Sequence, residues 1–530
     1  MKRILALALT AAASGASLAS AASMDLSLED ATRLALEANT SLAVEREGTS
    51  QSVSAVKSAR GAYDFVWNTD LTWRQATDPV NSLFSGAPGG ALAPEDRALD
   101  ASASVTRLLP TGGSVALFTS WGRATTDGVY TILSPAYETD LGVSFRQPLS
   151  RNLSSDPVRE AIRLASADRT ASEAHLRQVV SDTVASVDGA YWDLVAARRD
   201  VASLESSVDL ARKQLDETKT RIEMGTMSKT DVAEPTAELV RRKANLALAR
   251  RRVAQAENAL KLLILGDPDD PAWSARVVPK DAPEAGVAHP DLGDALRTGL
   301  AKRPEIAEAK AQRTRAEAQV AGRKSDVRPS LDLVASYERR GLAGATNPSA
   351  VDFTGQPITV PPPLDGGTGR SYGTIGENRF PAVSVGLALS FPISNRTAKA
   401  NLAVARSQLE QASLGITAAR QEVAAEIRDA VAAVETAGDR SEAARAAREA
   451  AETQLSAEQD RFEAGVSTNF LVLTRQNDLT NARFTETSAL TDYRKAETEL
   501  ARAAGELLDQ RHVEVQPLAD GGDSIPAGTR

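Results

Sequence analysis

Few residues in this 530-residue chain are placed for covalent chemistry. His175, His289 and His512 stand far apart, with no HExxH pair and no second cluster of ligands beside them. Their spacing offers no metal site. No P-loop or dinucleotide fingerprint is present. The glycine-rich runs GGSVALF and DGGTGR fall in strand turns and loops. Cysteine is absent, which excludes disulfides, thiolate metal sites and cysteine nucleophiles, and is compatible with an oxidising compartment. These residues therefore predict no enzyme, no catalytic residue, no cofactor and no metal. What the sequence repeats is a turn.

The stretch RIEMGTMSKTDV (Arg221 to Val232) returns 240 residues later as RFEAGVSTNFLVL (Arg461 to Leu473). Arg221, Glu223, Gly225 and Ser228 fall opposite Arg461, Glu463, Gly465 and Thr468. A glycine supplies a left-handed turn conformation that a β-carbon resists. The following Ser or Thr caps a returning helix, and Ser228 with Asp231 has capping-box spacing. One such turn is an ordinary link between antiparallel helices. Its duplication makes it the centre of the chain.

The helices that position these turns show seven-residue spacing. Val180, Val187, Leu194, Val201, Val208, Leu215 and Ile222 form one line, and Val232, Leu239, Leu246, Val253 and Leu260 the return. Leu402, Leu409, Ile416 and Val423 repeat the line in the second half, shifting to Ile427 and Val434. A sustained 3.5-residue period predicts coiled-coil packing. A helix from Ser155 to about Met224 would be roughly 100 Å long at ~1.5 Å per residue.

Two windows differ in composition. Residues 63–146 and 330–391 hold 15 of the 22 aromatic residues. Short alternating runs appear there: YDFVWNTDLTW, ASASVTRLL, GSVALFTSW, TDLGVSFRQ, SLDLVASY and AVSVGLALSF. Alternation with flanking aromatics fits membrane β-barrel strands, and an ordinary sandwich edge looks similar. The opening MKRILALALTAAASGASLASAAS reads as a secretory signal over residues 1–21. No later run reaches about 18 apolar residues, so any membrane crossing must use strands. The net charge of −9, without a basic stripe, speaks against nucleic acid as a partner.

The duplication sets the expected domains. LEDATRLALEANTSLA (Leu28 to Ala43) matches LGDALRTGLAKRPEIA (Leu292 to Ala307), and the strand ends GVSFRQPLSRN and ALSFPISNR match at Pro148 and Pro392. A first repeat spans 22–270, with strands in 63–147 and a coiled-coil hairpin over 154–265. A second spans 271–508, with a linker and helix, strands in 330–392 and a hairpin over 396–508. Residues 509–530 read as a flexible tail.

These features together resemble the TolC family of outer-membrane efflux proteins, from about Leu26 to Leu508. The most specific parts are the two tip motifs and the strand-to-helix prolines Pro148 and Pro392. The resemblance implies a mainly α fold with a β-barrel part: a homotrimer sharing a twelve-stranded outer-membrane barrel, set in lipid. Below it runs a long α-helical tunnel through the periplasm, with residues 266–330 suggesting an equatorial collar. It further implies docking on a periplasmic adaptor and an inner-membrane pump, for passive efflux or type I secretion.

Site residues follow from the same resemblance. The adaptor-docking steps are Met224, Gly225, Thr226 and Ala464, Gly465, Val466, positions that simple turn geometry also explains. Relatives place acids six or nine residues after the second glycine, where this chain has Leu471 and Thr474. A bulky apolar residue five after the glycine, Phe470, is the expected pore constriction, with packing between helices as its other explanation. Asp231 and Glu234 carry the acids at the first tip; Asp231 either caps its helix or pairs with Arg475. Pro235 marks an expected bend. The competing function is an exported structural coiled-coil protein without channel activity.

Overall fold

Four long helices dominate the helical part of the chain because alanine-rich heptads favour helix and no interior proline interrupts them. The computed structural model describes residues 23–79, 86–87, 93–284, 286, 289–352 and 354–515. The expected signal segment and the tail beyond residue 515 lie outside these. The elements are β1 (Ser23–Leu26), α1 (Leu28–Ala38), α2 (Thr40–Arg60), β2 (Val66–Thr77), β3 (Glu95–Leu108), β4 (Ser114–Thr126), β5 (Leu133–Pro148) and α3 (Pro157–Glu223). There follow α4 (Ala233–Ile264), β6 (Arg276–Pro279), α5 (Leu292–Lys302), α6 (Pro304–Asp326) and β7 (Ser330–Thr346). The chain continues with α7 (Thr368–Gly376), β8 (Phe380–Ser390), α8 (Arg396–Glu463), α9 (Asn469–Ala503) and α10 (Leu507–Gln510). No helix among the described residues is long and apolar enough to cross a membrane.

The chain divides into two units. One comprises residues 1–49, 173–307 and 417–530. In it, α1 buries Leu28, Ala31 and Ala35 against Val187, Tyr191 and Leu194 of α3 and Leu260 and Ile264 of α4. A parallel arrangement sets Ala295, Leu296 and Leu300 of α5 beside Ile427, Val431 and Ala503 of α8 and α9. β1 pairs in parallel with β6, a contact between residues 253 apart that no local pattern announced. The expected flexible tail is corrected over its first residues. α10 is helical, Val513 and Val515 pack on Leu42, Leu176 and Val180, and Arg511 pairs with the buried Asp188. Burial outweighs the entropy of ordering this short segment.

The other unit comprises residues 50–172 and 308–416. Its centre is one antiparallel sheet in the order β2-β3-β4-β5-β7-β8. Six alternating runs in the sequence became six strands. A trimer sharing twelve strands would take four from each chain, so that expected count does not fit. The added strands belong to the first window, where β2 to β5 form four consecutive antiparallel neighbours.

Register sorts the side chains. Trp67, Val105, Leu117, Val143, Tyr337 and Val383 are successive neighbours across the sheet. So are Asp70, Ser102, Ser120, Asp140, Arg340 and Phe380. Since side chains alternate along each strand, the first row and the second lie on opposite faces. The first face continues with Phe145, Ala335 and Val385; the second with Asn68, Ser104, Ser144, Ser336 and Glu338. One face is apolar and the other polar.

Candidate functional site

Both tips end their first helix in the same hydrogen-bonded cap. Gly225 N–H donates to Ile222 O and Thr226 N–H to Arg221 O, while Gly465 N–H donates to Phe462 O and Val466 N–H to Arg461 O. This Schellman pattern needs a left-handed residue, and φ is +75° at Gly225 and +76° at Gly465. The returns differ. Ser228 and Asp231 form a reciprocal capping box opening a 3-10 turn over Lys229–Val232 before α4 begins. Thr468 caps α9 directly by accepting from Leu471 N–H.

The six expected docking residues, Met224 to Thr226 and Ala464 to Val466, are exposed; Met224 and Val466 leave 66% and 76% of their surface open. Phe470 is 62% exposed and Leu471 40%, whereas the next residues, Val472 and Leu473, are buried and anchor α9. Phe470 is thus not packed between helices of its own chain. Thr474 is half-buried and donates from Oγ1 to Phe470 O. Glu234 is exposed in the first turn of α4.

The suggested Asp231–Arg475 pair is corrected. Asp231 Oδ2 accepts from Ser228 N–H at 2.9 Å, and Arg475 pairs with Asp478 at 3.0 Å. A capping acid three residues from its cap has a nearer, already oriented donor. Pro235 sits in the first turn of α4, where its missing N–H costs little and the helix continues to Ile264.

Contacts the sequence did not announce join the tips. Arg221 stacks over Phe462, and Gln214 bonds Asn469. Deeper, Arg242 is 3% exposed and donates to Glu238 at 2.7 Å, Ser207 O at 2.9 Å and Gln476 Oε1 at 3.1 Å. It binds α4 to α3 and α9 through charge-assisted hydrogen bonds. The buried positions of α4 are Pro235, Glu238, Arg242, Ala249, Leu260, Lys261 and Ile264, while Leu239, Leu246 and Val253 are half-buried. The predicted line holds at Leu260, which is fully buried, while nearer the tip Glu238 and Arg242 take the buried positions. The i, i+4 spacing of Glu238 and Arg242 was the local signal for it.

Burial raises several acids along α3, Asp188 and Asp200 among them. At Asp188, Arg511 and Thr498 oppose that shift, and Asp188 Oδ1 has no hydrogen-bond partner among the described residues. Burial pushes Asp200 up to about 6, against the pull of Arg252. At the passages from strand to helix, Asn152 and Asn395 both take positive φ, at 68° and 44°. The shared SRN and SNR segments carried that signal unread.

The family model of outer membrane efflux proteins matches residues 107–266 and 295–506. The outer membrane efflux protein BepC of Brucella suis biovar 1 (strain 1330) is 25% identical over 361 residues, covering 68% of this chain and 71% of that protein. Among solved structures, the CmeC outer membrane channel of Campylobacter jejuni matches with a TM-score of 0.63 at 15% identity, over 91% of this chain and 86% of that one. The outer membrane protein VceC of Vibrio cholerae matches with a TM-score of 0.61 at 16% identity, over 90% and 96%.

Proposed function

Because the chain belongs to the outer membrane efflux protein family, we propose that it is the exit duct of a tripartite efflux or type I secretion machine. It is an outer-membrane protein with a periplasmic extension, and a channel rather than an enzyme. The observation carrying the proposal is the sheet. Its apolar face suits lipid, its polar face suits a water-filled lumen, and among the described residues neither edge strand has a further partner. On β8, Val383, Val385, Leu387 and Leu389 each leave about two-thirds or more of their surface exposed. An exposed apolar edge of this kind asks for another strand.

Copies of the chain supply it, β2 of one against β8 of the next, in a closed ring. The homotrimer that the family implies, six strands from each chain, makes an eighteen-stranded barrel. Barrels of about that size leave an aqueous channel. Residues 22–270 and 271–508 act as two structural repeats, each contributing a helical hairpin to a periplasmic tunnel. Half-buried positions such as Val201, Leu239 and Leu409 gain neighbours from other copies there.

At the tunnel mouth, Phe470 with Leu471 forms an apolar constriction, Thr474 lies one turn deeper, and Asp231 with Glu234 adds acids. The steps at Gly225 and Gly465 dock a periplasmic adaptor, through which an inner-membrane pump supplies the energy. Export of small molecules or polypeptides is passive.

Planar-bilayer conductance of the purified protein, with its mass in detergent, tests this. Trimeric mass with small, stable conductance supports it. A dimeric pore would mean twelve strands from two copies. A soluble monomer without pores would restore the exported coiled-coil reading.

A further inference from the structure

α7 lies on the apolar face of the sheet. Thr139 Oγ1 and Ser371 Oγ are 2.7 Å apart and both residues are fully buried. Trp121 Nε1 donates to Thr368 Oγ1 at 3.2 Å. Trp121, Thr139 and Gly341 are neighbours across β4, β5 and β7, so the helix crosses the strands. The fit requires a glycine: a β-carbon on Gly341 would stand 2.2 Å from Ser371 O and 2.3 Å from Thr139 Oγ1. This is the end of the sheet from which loops 127–132 and 347–379 emerge, opposite the ends leading into α3 and α8.

Two arginines flank the helix on that face. Arg123 follows Trp121 by two residues and neighbours Tyr137. Arg339 precedes Gly341 by two and neighbours Leu141. Arg339 Nε donates to Tyr337 Oη at 2.9 Å, its guanidinium lies 5.8 Å from the Tyr337 ring centre, and Tyr337 Oη reaches Asn378 Oδ1 beyond the α7 C-terminus. Neither Arg123 nor Arg339 has a carboxylate partner among the described residues. Arginines of the polar face do: Arg340 pairs with Glu338 and Arg146 with Asp332. Towards α3 and α8 the apolar face runs on through Leu117, Val143 and Val383.

We propose that Arg123 and Arg339, with Tyr337 and the flank of α7, bind the phosphates of a lipid in the outer leaflet. A cation at the margin of an apolar face, with aromatic side chains beside it, matches an anionic headgroup above acyl chains. The two Cα atoms are about 16 Å apart, at ~4.8 Å per strand and ~3.3 Å per residue. Each arginine therefore serves its own phosphate, as a headgroup with two phosphates allows. The site rests on the proposed outer-membrane barrel.

The test is native mass spectrometry of the full-length oligomer with bisphosphorylated lipid A, dephosphorylated lipid A and inorganic phosphate, beside its bilayer conductance. The bisphosphorylated lipid is expected to bind best. Arg123→Gln and Arg339→Gln should each weaken it about fivefold, the effect of one interfacial cation. Arg340→Gln, on the polar face, should leave lipid binding unchanged. Equal binding of the dephosphorylated lipid, or an equal loss in Arg340→Gln, overturns the site. So does inorganic phosphate binding as tightly as the lipid. A protein that forms no pore overturns the proposed function and this site together; a pore whose lipid binding ignores both arginines overturns the site alone.

Discussion

The guanidinium of Arg221 lies over the ring of Phe462, 4.5 Å from its centre. It joins the last turn of α3 to the last turn of α8, and so one tip to the other. The counterparts do not repeat it. Arg461 turns to Glu458 at 3.6 Å, and Ile222 replaces the ring. One cation–π contact thus sits at a place where the duplicated halves differ.

Arg221→Gln and Phe462→Ala should each loosen the tips by about 0.5–1 kcal/mol. The double variant should add little to either single change. Resting conductance and a double-mutant cycle on unfolding measure this; full additivity would mean the contact couples nothing.

Gly465→Ala places a β-carbon at φ +76° and should cost about 1–2 kcal/mol. Gly465→Asn should cost less, since asparagine tolerates this conformation. Chemical denaturation reads stability, and capture of the adaptor reads docking. If asparagine restores both, the glycine serves only turn geometry. Restored stability without capture would assign Gly465 to the interface.

Removing the Phe470 ring should widen an apolar constriction. Phe470→Ala is expected to raise single-channel conductance severalfold while leaving the mass of the oligomer unchanged, because the ring is open in its own chain. Unchanged conductance removes Phe470 from the gate.

Arg242→Ala strips a buried cation from Glu238, Gln476 and Ser207 O. Breaking such a network by deleting one partner should destabilise by about 3–5 kcal/mol. A denaturant midpoint within error of the wild type would show that water replaces the guanidinium.

Asp200 gives stability a pH dependence. Its carboxyl is raised to about 6 by burial, above its unfolded value. The folded state therefore binds this proton more tightly. The associated stability is fully present below pH ~4 and is lost as pH rises through about 6. Asp200→Asn should flatten the melting-temperature profile across that window. A wild-type slope surviving in Asp200→Asn assigns it to other acids, Asp188 among them.

The long helices were legible because a heptad needs only local spacing: Val180, Val187, Leu194, Val208 and Leu215 are all buried as their period required. On α4 the same rule placed the buried Leu260 but missed Glu238 and Arg242 nearer the tip. Arg242 is satisfied by Gln476, 234 residues away, and no spacing within the helix encodes that partner. Asp231 likewise resolved to its local cap rather than to a distant arginine.

By itself the sequence determined the duplication, the two glycine turns, the helix periods and six alternating strand runs, all properties of neighbours along the chain. Only the tertiary structure decided that Trp67 shares a face with Val383, that six strands form one open sheet, and that α7 lies against Thr139 and Gly341. The reason is register. Alternation says that a strand has two faces, but a slip of one residue exchanges them, and pairing between segments far apart in the chain fixes which face meets which.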